Sequence, residues 1–342
     1  MAHDFRVSGM AVVLAGLLLG GSGVATAQSA GNIPAVPHTP WGDPDLQGTW
    51  DFRTVTPLER PADFAEQEFL TDEDVAVFRQ RELQSRDADR RGTSTASDLE
   101  RGYNDFWWDY GTELTEDKRT SLIVDPQNGR MPPLTPMEAE MAREPRRGPA
   151  RERIVLGVVP DGPEDIGLAE RCLVGFNSGP PMMPSFYNNN VQVFQIPGYV
   201  VLFTEMIHET RFIPLDGRQH LPQSMRQWLG DSRGHWEGNT LVVETTNFTD
   251  KASFTGLPYL RGGSGANMHL IERFTRVNPD RLAYEFTVED PDAWTRPWTA
   301  VIPMKRTDSP VFEYACHEGN YAMFHMLAGA RAQERAAEEA AR

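Results

Sequence analysis

A rhythm that begins near residue 185 constrains this chain more than any other feature. From there apolar, β-branched and aromatic runs of five to nine residues recur, each closed by turn residues. They are Val191–Ile196, Tyr199–Met206, Arg211–Leu215, Thr240–Asn247, His269–Val277, Leu282–Val288, Trp298–Met304 and Val311–Cys316. The separators are short, among them Pro197-Gly198, Glu237-Gly238-Asn239 and Asn278-Pro279-Asp280. A parallel crossover needs a dozen or more residues, so runs joined this closely are expected to pair as antiparallel neighbours. The expected fold is mainly β: an antiparallel up-and-down barrel of lipocalin-like kind, or a strongly curved sheet. A two-sheet sandwich is the alternative.

The residues before this rhythm read as an N-terminal arm and peripheral helices. A proline-punctuated arm runs from residue 28 into Trp41-Gly42-Asp43-Pro44. Helices are expected over Thr71–Ser85, over Ala96–Trp108 and from Thr135-Pro136-Met137-Glu138, where a cap threonine, a first-turn proline and a glutamate coincide. Ser121–Val124 reads as a short strand ending in the turn Asp125-Pro126-Gln127-Asn128-Gly129. From Asn320 the alanine-rich tail reads as helix. The expected divisions are therefore 1–27, 28–184 packed on the barrel, 185–319 as its core, and 320–342.

The first 27 residues specify an address. Arg6 leads into an apolar core from Met10 to Leu19, and Ala25-Thr26-Ala27 is the small-x-small pattern cleaved by signal peptidase, here before Gln28. That run is too short and glycine-interrupted to persist as a membrane helix. A periplasmic or secreted chain without stable membrane insertion is expected. The net charge of −16 repels phosphate backbones and argues against a nucleic-acid partner. No Gly-rich phosphate loop, C-x-x-C-H or H-E-x-x-H occurs, so neither a cofactor nor a metal is expected. Cys172 and Cys316 are the only cysteines. In an oxidising compartment they are expected to pair; the alternative is that one thiol serves as nucleophile or ligand.

Several stretches carry a resemblance. They are Trp41-Gly42-Asp43-Pro44-Asp45-Leu46-Gln47-Gly48, residues 120–129 and 197–218, Trp228-Leu229-Gly230-Asp231-Ser232-Arg233-Gly234-His235-Trp236-Glu237-Gly238, and Glu313-Tyr314-Ala315-Cys316-His317-Glu318-Gly319-Asn320. On these the chain resembles a family of secreted bacterial proteins of uncharacterised function. The resemblance spans nearly all of the chain beyond residue 28. It implies a secreted, β-barrel-like fold and no particular activity.

The candidate chemistry is dispersed. Gly230-Asp231-Ser232-Arg233-Gly234 fits the G-x-S-x-G nucleophile elbow, which needs a helix directly after the serine. Here a strand follows, so a glycine-rich loop entering a hairpin is expected instead. Glu205 and His208 are acid–base types, but residues three apart on a strand face opposite sides, so at most one points inward. Adjacent Cys316, His317 and Glu318 cannot all reach one ion, which leaves His317 or Glu318 as a polar group at the barrel mouth. Tyr187, Trp294 and Trp298, with Asn189 and Arg296 as polar partners, are candidate walls of a ligand cavity; a plain core is the alternative. Together these residues point to a protein that binds or transforms a small, largely apolar or aromatic molecule by cofactor-free acid–base chemistry of lyase, isomerase or hydrolase type. His208 or Glu205 would be the base, with His317, Glu318 or Arg296 stabilising charge. A non-catalytic small-ligand carrier or cell-envelope interaction protein is the alternative.

Overall fold

The computed structural model describes residues 36–87, 89, 104–141, 159–250 and 265–342. The export segment 1–27, most of the expected helix Ala96–Trp108 and the basic stretch 143–153 lie outside the described residues. Ten strands form one antiparallel sheet. They are β1 (Gly48–Asp51), β2 (Ile123–Asp125), β3 (Asn190–Ile196), β4 (Tyr199–Thr204), β5 (Thr210–Pro214), β6 (Asp231–Glu237), β7 (Thr240–Thr246), β8 (His269–Asn278), β9 (Arg281–Glu289) and β10 (Trp298–Thr307). The hydrogen-bonded order is β5-β4-β3-β1-β10-β9-β8-β7-β6, with β2 also on β10. Two meanders are thus joined through β1. The sheet is strongly curved and not closed: β5 and β6 are its edges, yet the Arg211 guanidinium of β5 reaches the Ser232 hydroxyl of β6 at 3.1 Å.

Alternation decides which side chains fill the curve. Trp298, Ala300, Ile302 and Met304 of β10 point inward, as do Leu282, Tyr284, Phe286 and Val288 of β9. Two inserted segments fill the rest. The arm donates Leu46 and Trp50, whose indole N–H bonds the Leu46 carbonyl, and Gln195 clamps Leu46 and Pro44 through its amide. From the other side Met182 is buried with its N–H on the Tyr284 hydroxyl, 3.0 Å away. Helices are peripheral: α1 (Asp72–Arg86), α2 (Pro136–Met141) and α3 (Tyr321–Ala340). Among the described residues no helix is long and apolar enough to cross a membrane.

Three local expectations change, and one strand has no counterpart among them. Val311–Cys316 forms no strand, because Phe312 N–H is taken by the Glu205 carboxylate and the flank of β10 is occupied by β1 and β2. Gly230–Gly234 is no loop: from Asp231 onward it is β6, paired with β7 along its length. Of the expected helix Ala96–Trp108, the described end holds a single 3-10 turn at Asp105–Trp107. β1 itself, four residues with Gly48 at its head, is too short to stand out in the sequence.

Candidate functional site

The sequence-derived candidates do not share one place. β4 ends at Thr204, and a tight turn with Ile207 and His208 at positive φ sends the two residues apart. Glu205 is buried, accepting from Asn190 Nδ2 at 2.8 Å and Phe312 N at 2.9 Å, while His208 is exposed. His317 and Glu318 lie exposed in a turn. Cys172 and Cys316 are joined as a disulfide, which removes either thiol as nucleophile or ligand. Trp294 and Trp298 are core residues packed edge to face at 5.8 Å, whereas Arg296 is exposed and paired with Asp125. Asn189 is buried and holds its own loop through Ser185 and Asn177. Tyr187 stacks on Tyr314 with ring centroids 6.4 Å apart. The aromatics therefore brace the interior, and Met182, rather than an open cavity, sits against Tyr284.

A charged cluster that the motif search passed over crosses that interior. Arg211 of β5 meets Glu272 of β8 in a two-pronged pair, Nη1–Oε1 at 3.1 Å and Nη2–Oε2 at 2.5 Å. Tyr284 donates its hydroxyl to Glu272 Oε1 at 2.7 Å, and Ser232 and Thr245 share a bond of 2.9 Å beside the guanidinium. Burial, reinforced by the Glu272 charge, holds the Tyr284 hydroxyl well above its usual range. Glu272 and Ser232 are thus committed to binding Arg211, and Ser232 has no histidine partner among the described residues. The signal for this cluster lay in the alternation: Glu272 occupies the inward phase between Leu270 and Phe274, where a charge needs a partner.

A different carboxyl lacks such partners. Helix α1 opens on Thr71, whose hydroxyl accepts from Asp74 N–H at 3.2 Å. Its inward stripe is thin, with Phe78 on Phe64 and Glu82 one turn later. Glu82 is 8% exposed, and its carboxyl takes part in no hydrogen bond or ion pair among the described residues; Ser85 Oγ reaches only its backbone carbonyl. Burial pushes its carboxyl above the usual range, against weaker pulls from Arg86 and Arg81. One turn further, Arg86 turns to the backbone, donating to the Thr54 and Val55 carbonyls and lying over the Tyr110 ring.

Glu82 lines a cavity of about 400 Å³ between α1, the segment Thr54–Glu59 and the Leu122, Met131 and Met183 side of the sheet. Across Arg86 and Tyr110 a second recess of about 330 Å³ begins, with Gln80, Gln84, Trp108 and Asp109 on its walls. Trp108 and Tyr110 stack at 5.5 Å between the two. Mixed apolar and polar walls around one carboxyl pushed above its usual range suit a small apolar molecule with a polar group, and giving or taking a proton from it. Among the described residues no cluster of three or more His, Cys, Asp or Glu is placed to hold a metal ion.

Fold and cavity define a class: a mainly β protein whose curled, unclosed antiparallel sheet carries a helix-covered cavity on its flank. No family model, curated protein or solved structure matches the chain.

Proposed function

We propose that the protein is exported, is cleaved before Gln28, and binds a small, largely apolar molecule in the α1 cavity, where Glu82 acts on it as an acid. The observation that carries this reading is Glu82 itself: a nearly buried carboxyl on the wall of a 400 Å³ space, with no hydrogen-bond or ion-pair partner among the described residues. Such a group keeps its proton to higher pH than an exposed glutamate does, and a bound oxygen or nitrogen can receive it. The disulfide and the resemblance to secreted bacterial proteins support export. The carrier reading has its own observation: Glu59, the other carboxylate lining the cavity, is engaged by the Met131 N–H at 2.9 Å, so no free second carboxylate faces Glu82.

The test begins with protein recovered from its own host. Native mass spectrometry is expected to find a chain starting at Gln28 with a small molecule bound, and Met131→Trp, which fills the cavity, is expected to lose it. Incubating that molecule with wild type and Glu82→Gln then separates enzyme from carrier. Turnover by wild type alone supports the acid role; binding by both without turnover makes the protein a carrier. Identical bound masses in wild type and Met131→Trp would remove the cavity from consideration.

A further inference from the structure

The two edges of the sheet approach each other unevenly. At one end of the seam, Gly234 of β6 lets Ile213 of β5 and the adjoining Leu215 close in: a Cβ there would stand 2.7 Å from Leu215 and 2.8 Å from Ile213. Further along, between Glu209–Phe212 and Arg226–Ser232, the edges part around a cleft of about 540 Å³. It shares no lining residue with the α1 cavity.

The charges around this cleft decide what it can hold. Asp231 is neutralised by Arg233 at 2.7 Å and also faces the His220 ring at 3.0 Å. Arg211 is matched by Glu272, which locks its guanidinium in place but leaves Nε–H buried without an acceptor. Arg226 donates only to carbonyls, Phe248 O at 3.0 Å and Ala266 O at 2.5 Å, and has no carboxylate partner among the described residues. Among the described residues no carboxylate offsets its positive charge at the rim. Glu209 is the remaining acid there; burial pushes its carboxyl above the usual range, against the pulls of the Thr210 N–H, His208 and Arg211. Phe212, 68% exposed on an edge strand, and Trp228 supply apolar surface beside these donors.

We propose that the seam between β5 and β6 binds a small organic carboxylate with an aromatic or similarly apolar body. Arg226 and the Arg211 Nε–H take the carboxylate, and Phe212 and Trp228 take the body. The site combines a guanidinium held in place by Glu272 with a rim arginine that has no carboxylate partner among the described residues, the pairing that favours carboxylates over neutral analogues. It stands independently of the role given to Glu82.

The probes are benzoate and its neutral counterpart benzyl alcohol, titrated calorimetrically into the whole exported chain. Saturable benzoate binding is expected, stronger than that of benzyl alcohol. Arg226→Gln should weaken it about tenfold, the loss of one charge-assisted hydrogen bond. Phe212→Ser, at an exposed position that leaves the fold intact, should weaken both probes. Met131→Trp should leave benzoate binding unchanged. Absence of saturation at millimolar benzoate, indifference to Arg226→Gln, equal affinity for the alcohol, or loss of binding in Met131→Trp would each overturn the proposal.

Discussion

At the scale of single residues, two buried carboxyls are handled in opposite ways, and each way has a measurable consequence. Glu272 is fully buried but answered by Arg211 and Tyr284. Removing one partner strands the other charge, so Glu272→Leu is expected to lower stability by about 3–5 kcal/mol in urea unfolding. The double variant Arg211→Met with Glu272→Leu should recover much of that loss, because two apolar side chains need no desolvated partner. Glu82 is buried without an answer. Its folded-state pKa lies above the unfolded value, so the native chain binds the extra proton across the window between the two. Stability therefore falls as pH rises through that window, and the loss is absent below the unfolded carboxylate range of about 4.3. Glu82→Gln should accordingly be more stable than wild type at pH 8 and indistinguishable from it near pH 4, read as a shift in urea midpoint. A difference of the same size at both pH values would show that Glu82 acts through packing and not through its proton.

At the scale of elements, β2 to β5 and β7 to β10 were legible from their apolar runs, and β1 and β6 were not. β8 and β9 announce themselves through Leu270, Phe274, Leu282, Tyr284 and Phe286 on one phase. β6 hides because its inward phase begins with Ser232 and Gly234, two residues that read as loop, before Trp236 packs on the core. Gly234 is there for space, not for backbone freedom, since the Ile213 and Leu215 side chains occupy the room a Cβ would need. Gly234→Ala should therefore cost about 1–3 kcal/mol, as overpacking does in a filled interior, and hydrogen exchange should rise first in β5 and β6. Helix α1 shows the converse. Its start was legible from Thr71 and Asp74, but its role was not, because with Phe78 as its one buried apolar residue nothing in the periodicity says that Glu82 turns inward. Candidate sites are hard to read for this reason: a functional carboxyl differs from a solvated one only through what the rest of the chain packs around it.

At the scale of the whole molecule, the disulfide joins Cys172, before the sheet's first meander, to Cys316, beyond its last strand, a separation of 144 residues. The other contacts of the segment it secures include Phe312 N–H on Glu205, Tyr314 stacked on Tyr187, Asn320 Nδ2 on the Glu170 carbonyl at 2.8 Å, and Arg331 on the carbonyls of residues 160 and 161. Helix α3 buries only Ala330. Two consequences must be separated. Locally, the bond keeps α3 and its approach docked; globally, it shortens every path available to the unfolded chain across β3–β10. Loop-closure entropy for a loop of this length is worth about 5 kcal/mol, more than the few hydrogen bonds of the tail can supply. The global term is thus expected to dominate. The variant Cys172→Ser with Cys316→Ser should unfold at a clearly lower urea concentration, with a steeper denaturant dependence because its unfolded state is less restricted. If the midpoint and slope stay at wild-type values while protease removes residues beyond 312, the bond acts as a tether for the tail alone, and the curled sheet owes its stability to its own interior.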